Sequence, residues 1–487
     1  MEEQVIKKPD LKKEYETVIG LEVHVELATK TKIFCGCSTA FGSKPNTQVC
    51  PVCMGMPGTL PVLNRQVVEY ALMVGLALHG EINRDCRFDR KNYFYPDNPQ
   101  NYQISQLYLP ICHDGCLTLS EGGKRVRIHE IHMEEDAGKL LHDPNGRESL
   151  IDFNRAGVPL LEIVSEPDME NAEEVISYLE MLRTVIRYLG ASDCKLQEGS
   201  MRADVNLSVR EKGCRELGTR TEMKNLNSYH EIRHCVEAER ERQIGLLEKG
   251  MKVTRETRRW DEDSRQSYSM RSKEEVQDYR YFPDPDLMPL HISEEWLERI
   301  RAGLPEMREQ KMRRFQTEYG ISEYDARMIT ESLHLATLFE RTILCGGAAK
   351  KVANWIMGEG FRILKEKGMD PEDVAVSPEH FARLLRLLEE KKITNTIAKE
   401  VFEVMMQRDI EPEEYVREKG LLTVRDGDVL ERTVLEILSQ NQKSVLDYKS
   451  GKEKALGFLV GQTMKAMKGQ ADPSEVTRLL KTKLSEI

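Results

Sequence analysis

Two kinds of side-chain cluster in this sequence could do chemistry. The first is made of thiols. Cys35-Gly-Cys37 is followed closely by Cys50-Pro-Val-Cys53. Two close pairs, each on a tight turn, supply four soft donors in the pattern of a closed, tetrahedral, structural zinc site. Cys112 and Cys116 have no second pair nearby and read as ordinary thiols. The second cluster is acidic. Carboxylates stand beside a histidine or on strand-like faces in GLEVHVEL (20–27), HMEEDAGK (132–139), PLLEIVSEPD (159–168) and the segment around Asp204. Glu162 is flanked by Leu160, Leu161, Ile163 and Val164. A carboxylate in so apolar a run is costly unless it is paired or metal-bound. Oxygen donors with one imidazole and no thiolate suit magnesium better than zinc. If 132–139 is extended, Glu134 and Glu135 point to opposite faces, so only one of them joins a shared site. Taken singly, each acid reads better as a solvated or salt-bridged side chain; together, on several strands, they tilt toward a metal centre.

Basic partners are present. Lys91 lies in FDRKNYFYPDNPQNYQIS (88–105), and Arg202, Lys224 and Arg258, the last within an arginine-rich stretch from 255 to 280, could meet phosphates. There is no GxxxxGK[ST] loop and no well-placed GxGxxG. ATP would therefore meet metal ions and strand-borne side chains rather than a phosphate-binding loop.

The elements that position these groups follow from periodicity. From Val18 to Leu27, Leu21, Val23, Val25 and Leu27 alternate with Glu22, His24 and Glu26, which predicts a half-buried strand. Met201 to Arg210 repeats the pattern, with Arg202, Asp204, Asn206, Ser208 and Arg210 on the polar face. Asn171 followed by Glu174 opens a helix whose apolar stripe is Val175, Leu179, Leu182, Ile186 and Leu189, closed by Gly190; Ser228 with Glu231 opens another. Strands and helices mix without βαβ repetition, so the expected class is α+β with a largely antiparallel sheet. The proline-rich YFPDPDLMPL (281–290) marks a boundary, after which the pattern is helical. Three domains are expected: 1–292, 293–410 and 411–487, the last becoming lysine-rich between Lys443 and Lys468.

The whole chain sets bounds. Its 487 residues suit several domains, with 40% hydrophobic and 31% charged residues. The longest apolar run, Tyr70 to Leu78, falls far short of the roughly 18 residues that span a bilayer. The first residues have no apolar core, so neither a secretory leader nor a membrane association is expected, and the expected location is cytoplasmic. A net charge of −11 argues against indiscriminate coating of nucleic acid but not against a local basic surface.

The segments VIGLEVHVEL (18–27), DRKNYFYPDNPQNYQISQ (89–106), HMEEDAGK, LLEIVSEPD, KNLNS (224–228), TRETRRWDE (254–262) and DYRYFPDPDL (278–287) resemble the GatB subunit of the aspartyl/glutamyl-tRNA(Asn/Gln) amidotransferases, the three-subunit GatCAB type. The C-terminal GQTMKAMKGQADP (461–473) is similar to a YqeY-type tail. The resemblance implies a glutamine synthetase-like catalytic domain. It implies ATP-dependent phosphorylation of the side-chain carboxylate of Glu-tRNA(Gln) or Asp-tRNA(Asn), then amidation with ammonia. It implies magnesium ligands at Glu22, His24, Glu135 and Glu162, with Asp204 and Glu222 joining them, and a catalytic Lys91. Arg202, Asp204, Lys224 and Arg258 would face ATP, and zinc on the four cysteines would be accessory. The chain shows no Gly/Ser-rich amidase signature and no GxSxG elbow. Ammonia would thus come from the partner amidase of the complex, the GatA subunit, held in place by the small GatC subunit. Two other readings stand beside this one: a stand-alone ATP-dependent carboxylate–amine ligase acting on a small molecule, and a non-catalytic tRNA-binding scaffold. The long helical C-terminal half favours a macromolecular substrate over the former.

Overall fold

The computed structural model describes residues 14–119, 122–142, 146, 148–272, 278–423, 427–467 and 469–486. Two compact units divide the chain, Met1–Glu306 and Met307–Ile487.

The first unit is built on one nine-stranded sheet. In chain order its strands are β1 (Tyr15–Glu26), β2 (Glu81–Ile82), β3 (Cys112–Thr118), β4 (Arg125–Glu135), β5 (Pro159–Ser165), β6 (Met201–Glu211), β7 (Thr221–Lys224), β8 (Glu256–Asp261) and β9 (Gln266–Ser272). The spatial order is β9-β8-β7-β6-β1-β5-β4-β3-β2. Every neighbouring pair is antiparallel except β7 with β8. Together with its helices this is the expected α+β class. Alternation sends Leu21, Val23, Val25, Met133, Leu161, Ile163, Val205 and Met223 to one face, where all are nearly or fully buried. Three helices cover that face: α1 (Arg65–Ala77), α2 (Ala172–Tyr188) and α3 (Tyr229–Glu248). They supply Leu72, Leu179, Leu182, Ile232 and Val236, each closed off from water and contributing roughly 1.5–3 kcal/mol by burial.

The helix starts carry the predicted caps. Asn171 accepts from the Glu174 amide, and Ser228 accepts from the Glu231 amide. In each case the glutamate reaches back to the residue before the cap, Glu170 or Asn227, rather than to the cap itself. Cys112 packs as a buried thiol: a Cβ at Gly80 would come 2.2 Å from its sulfur, which is why that turn carries glycine.

The proline-rich segment does not end the first unit. The helix that follows it, α4 (Glu294–Ala302), is capped by Ser293 and packs back on α1. The Trp296 indole N–H donates to Glu69 at 3.3 Å, and Arg65 lies over its ring. The first unit therefore extends to Glu306 rather than stopping at 292.

The second unit is helical and has two apolar cores. One runs from Phe315 to Val416, and Tyr415 and Leu421 pack against it. The other runs from Leu430 to Leu484. The change of core falls at 421–430, later than the expected 410, because Tyr415 and Val416 are anchored in the preceding one. Among the described residues, no helix is long and apolar enough to cross a membrane.

Candidate active site and metal centres

The face of the sheet opposite the helices is polar, and strand register decides which side chains meet there. His24 on β1 lies opposite Glu162 on β5 and Arg202 on β6, and Glu162 lies opposite His132 on β4. Glu22 lies opposite Asp204, and Asn206 opposite Glu222 on β7. Cross-strand partners share a face, so five strands deliver their polar residues to one surface.

Two donor sets form on it. In the first, His24 Nε2 is 3.5 Å from Glu162 and 3.6 Å from Glu134. The three donor atoms lie within 4.8 Å of one another. His132 Nε2 approaches Glu162 at 3.0 Å from the next strand. In the second set, Glu22, Asp204 and Glu222 converge in the same way. Asn206 donates to Glu22 at 3.0 Å, Thr257 donates to Glu222 at 2.8 Å, and Lys224 pairs with both Asp204 and Glu222. The sets are adjacent because Glu22 and His24 are two residues apart on one strand, roughly 7 Å along it.

The electrostatics follow from burial and crowding. Burial, then the charges of Glu162 and Glu222, raises the Glu22 carboxyl above its ordinary value. Burial and Glu162 raise Glu134. Burial opposes the charge on Glu162, but His132 and His24 outweigh it and hold that carboxyl well below the ordinary range. Burial would neutralise His132, yet the charge of Glu162 pushes it up to about 10. Several carboxylates competing for two imidazoles make a strongly anionic nest. A hard divalent cation fits such oxygen-rich donors with one imidazole each or none.

Most sequence-predicted residues reach this surface, and two do not. Glu135 ends β4 pointing the other way. It accepts from the Ile104 amide at 3.0 Å and from Gln100, and burial pushes its carboxyl up to about 8. It borders a separate cleft of about 220 Å³ with Lys32, Cys53, Gln100, Tyr102 and Arg90. The residue beside His24 and Glu162 is Glu134, and Glu135, the expected ligand, lies on the other side of the strand. Arg258 lies opposite the buried Met223, on the helix side of the sheet. Its guanidinium bonds Ser267 and Glu256 and approaches Glu239 of α3, so it is not among the groups facing this surface. Arg202 does face it, paired with Asp136 at 2.9 Å. Lys91 sits on the short strand Asp89–Asn92, where burial opposes its charge but Glu134, Tyr281 and Glu162 hold its pKa above the ordinary value. His132 and Asn206 were not foreseen as site residues. The signal for His132 was available: Ile131 and Met133 must face the core, which turns His132 and Glu134 together to the other side.

A cleft of about 1270 Å³ lies elsewhere, lined by Glu16, Arg127, Asp168, Arg210 and Arg240 among others. It holds none of the predicted site residues.

The cysteines gather apart from the acids. Cys35, Cys37, Cys50 and Cys53 bring their sulfurs within 4.8 Å of one another. The Cys50 amide donates to Cys53 Sγ at 3.2 Å, and the fully buried Lys32 donates to the same sulfur at 3.5 Å. The Cys35 thiol and then, against burial, the Cys50 amide and Lys32 hold Cys53 down at about 4. A thiolate is the form that binds metal, and four sulfurs gathered within 4.8 Å of one another fit the donor set of a zinc site.

Two family models match the chain: the GatB/GatE catalytic domain over residues 17–298 and the GatB domain over 337–484. A protein of Agathobacter rectalis, named as the B subunit of an aspartyl/glutamyl-tRNA(Asn/Gln) amidotransferase, is 60% identical, covering 96% of this chain and 99% of its own. Proteins of the same name from Lachnospira eligens and Caldicellulosiruptor saccharolyticus are 59% and 53% identical, over 96% and 97% of this chain and 99% and 100% of their own. The chain belongs to the GatB family of tRNA-dependent amidotransferase subunits.

Two outcomes test the centres. Metal analysis of protein prepared without chelator should find about one zinc per chain on the cysteines, lost in Cys50→Ser; zinc-free protein would contradict the assignment. In divalent-cation titrations monitored with Mn2+, Glu134→Gln should weaken binding at least about tenfold, whereas Glu135→Gln should stay near wild type. Equal losses would return Glu135 to the ligand set.

Proposed function

We propose that this chain activates a carboxylate with ATP as the GatB component of an aspartyl/glutamyl-tRNA amidotransferase. The side chain of glutamate on tRNA(Gln), or of aspartate on tRNA(Asn), is phosphorylated, and ammonia then displaces phosphate to give the amide. An ionised carboxylate is a poor electrophile, and the acyl phosphate gives it a leaving group. The observation that carries this reading is the pairing of two donor sets on one sheet face, bordered by three cations: Lys91, Arg202 and Lys224.

Phosphoryl transfer needs little covalent help from a protein; it needs positioning and positive charge around the phosphate oxygens. His24, Glu134 and Glu162 would hold one magnesium ion and Glu22, Asp204 and Glu222 another. Magnesium there would offset the charge on the transferred group. Lys224 is already poised between Asp204 and Glu222. Its ammonium can move to a phosphate oxygen as those carboxylates turn to a cation. Asn206 fixes Glu22, and His132 keeps Glu162 ionised. An antiparallel sheet bearing carboxylates on one face is what a glutamine synthetase-like arrangement requires. Zinc on the cysteines is structural in this reading.

Ammonia comes from the partner amidase, GatA, with the small GatC joining the two, and a tRNA substrate puts the reaction in the cytoplasm. The C-terminal helices supply a grip on tRNA. Lys443, Lys449, Lys452, Lys454 and Lys465 are exposed there, Lys452 pairing with Asp447; Lys468 lies outside the described residues.

With these partners supplied, Glu162→Gln or His24→Ala should lower ATP-dependent amidation of Glu-tRNA(Gln) and Asp-tRNA(Asn) at least about a hundredfold, with glutaminase activity partly retained. Near-normal amidation, or turnover of free glutamate instead of the charged tRNA, would overturn the reading. Deleting the chain after Thr423, which spares the core holding Tyr415 and Val416, should raise KM for charged tRNA and flatten its salt dependence. Unchanged tRNA affinity and salt slope would remove the tail from the substrate contact.

A further inference from the structure

A fourth set of donors lies outside both the acidic face and the cysteine cluster. His230 and His234 are one turn apart at the start of α3, on the same side of the helix. Glu262 comes from the turn that joins β8 to β9. Both Nδ1 atoms converge on the same carboxylate oxygen, Glu262 Oε1, at 3.2 Å from His230 and 3.1 Å from His234. The rings meet edge to face with centroids 4.0 Å apart. All three donor atoms lie within 4.8 Å of one another.

We propose that His230, His234 and Glu262 bind a divalent transition metal of the zinc class. Donors about 2.0–2.2 Å from zinc are separated by roughly 3.3 Å along the edges of a tetrahedron, and the two N···O separations match that edge. Two imidazole nitrogens with one carboxylate oxygen select zinc, nickel or copper over magnesium or calcium, which prefer all-oxygen shells. A plain ion pair explains the arrangement less well. Two imidazolium rings at this spacing would repel each other, whereas two neutral rings can share one cation with the carboxylate.

The carboxylate is also oriented from behind. The Trp260 indole N–H donates to Glu262 Oε2 at 2.8 Å, which leaves Oε1 turned to the histidines. Outer partners of this kind fix ligand geometry in metal sites. His230 is 66% exposed, so solvent can reach a fourth position. Trp260 itself is buried, and its carbonyl accepts from Asn225 at 3.1 Å, in the turn that leads from Lys224 into α3. A bound ion would thus fasten the start of α3 to the β8–β9 hairpin and steady the turn next to Lys224.

The test uses the full-length chain with its cysteine-bound zinc in place. Calorimetric titration with Zn2+ should find one more equivalent in the wild type than in His230→Gln, a surface substitution whose melting curve without added metal should match wild type. Ni2+ should quench indole fluorescence in the wild type, and the midpoint should rise at least about tenfold in Glu262→Gln. Equal zinc equivalents in wild type and His230→Gln, or an unshifted nickel midpoint in Glu262→Gln, would reduce the cluster to an ion pair and overturn the proposal.

Discussion

The crowding of carboxylates on one face of the sheet is the constraint around which the first unit is arranged. Like charges about 4 Å apart repel by about 4 kcal/mol at an effective dielectric near 20, so several such contacts would exceed the stability of an ordinary domain. The fold offsets this in two ways. Cations are interleaved with the acids: His132 and His24 at Glu162, Lys224 between Asp204 and Glu222, Arg202 at Asp136. The opposite face is apolar under α1 and α2 and along most of α3, apart from the polar network of Thr221, Glu239, Gln243 and Arg258, so hydrophobic burial secures the central strands against the cost of the polar face. The interleaved cations share a second property. Lysine and histidine can turn away from a carboxylate toward a phosphate, whereas a backbone hydrogen bond could not.

Much of this was legible in the sequence, because period-two alternation fixes facing wherever one face is apolar. Leu21, Val23 and Val25 committed Glu22 and His24 to the polar side, and Ala203 and Val205 did the same for Asp204. The cysteine pairs were legible for a different reason: their spacing is a local property of tight turns. The two misplaced residues, Glu135 and Arg258, are each one position from a residue that does reach the polar face, Glu134 and Thr257. A single-residue step along a strand exchanges core for solvent, so a match to a motif places a segment without placing its parity. In β4 the correct parity was encoded by Ile131 and Met133.

What the sequence did not disclose depends on contacts far apart along the chain. The proline-rich segment reads as a boundary, yet Trp296 beyond it returns to Glu69 of α1, and no local pattern announces that contact. The end of the first helical core depends on whether Tyr415 and Val416 pack backward or forward, which periodicity leaves open. The cluster of His230, His234 and Glu262 joins a helix to a hairpin turn, and only the pairing of β7 with β8 brings them together.

The central claim is that the polar face transfers phosphate to the substrate's side-chain carboxylate. Oxygen-18 placed in the side-chain carboxylate of the glutamate on tRNA(Gln) follows that bond directly. With the assembled enzyme, ATP and glutamine, the account predicts that one labelled oxygen appears in inorganic phosphate for each amide formed, because phosphate leaves with the carboxylate oxygen it captured. Amide formation accompanied by unlabelled phosphate would contradict it.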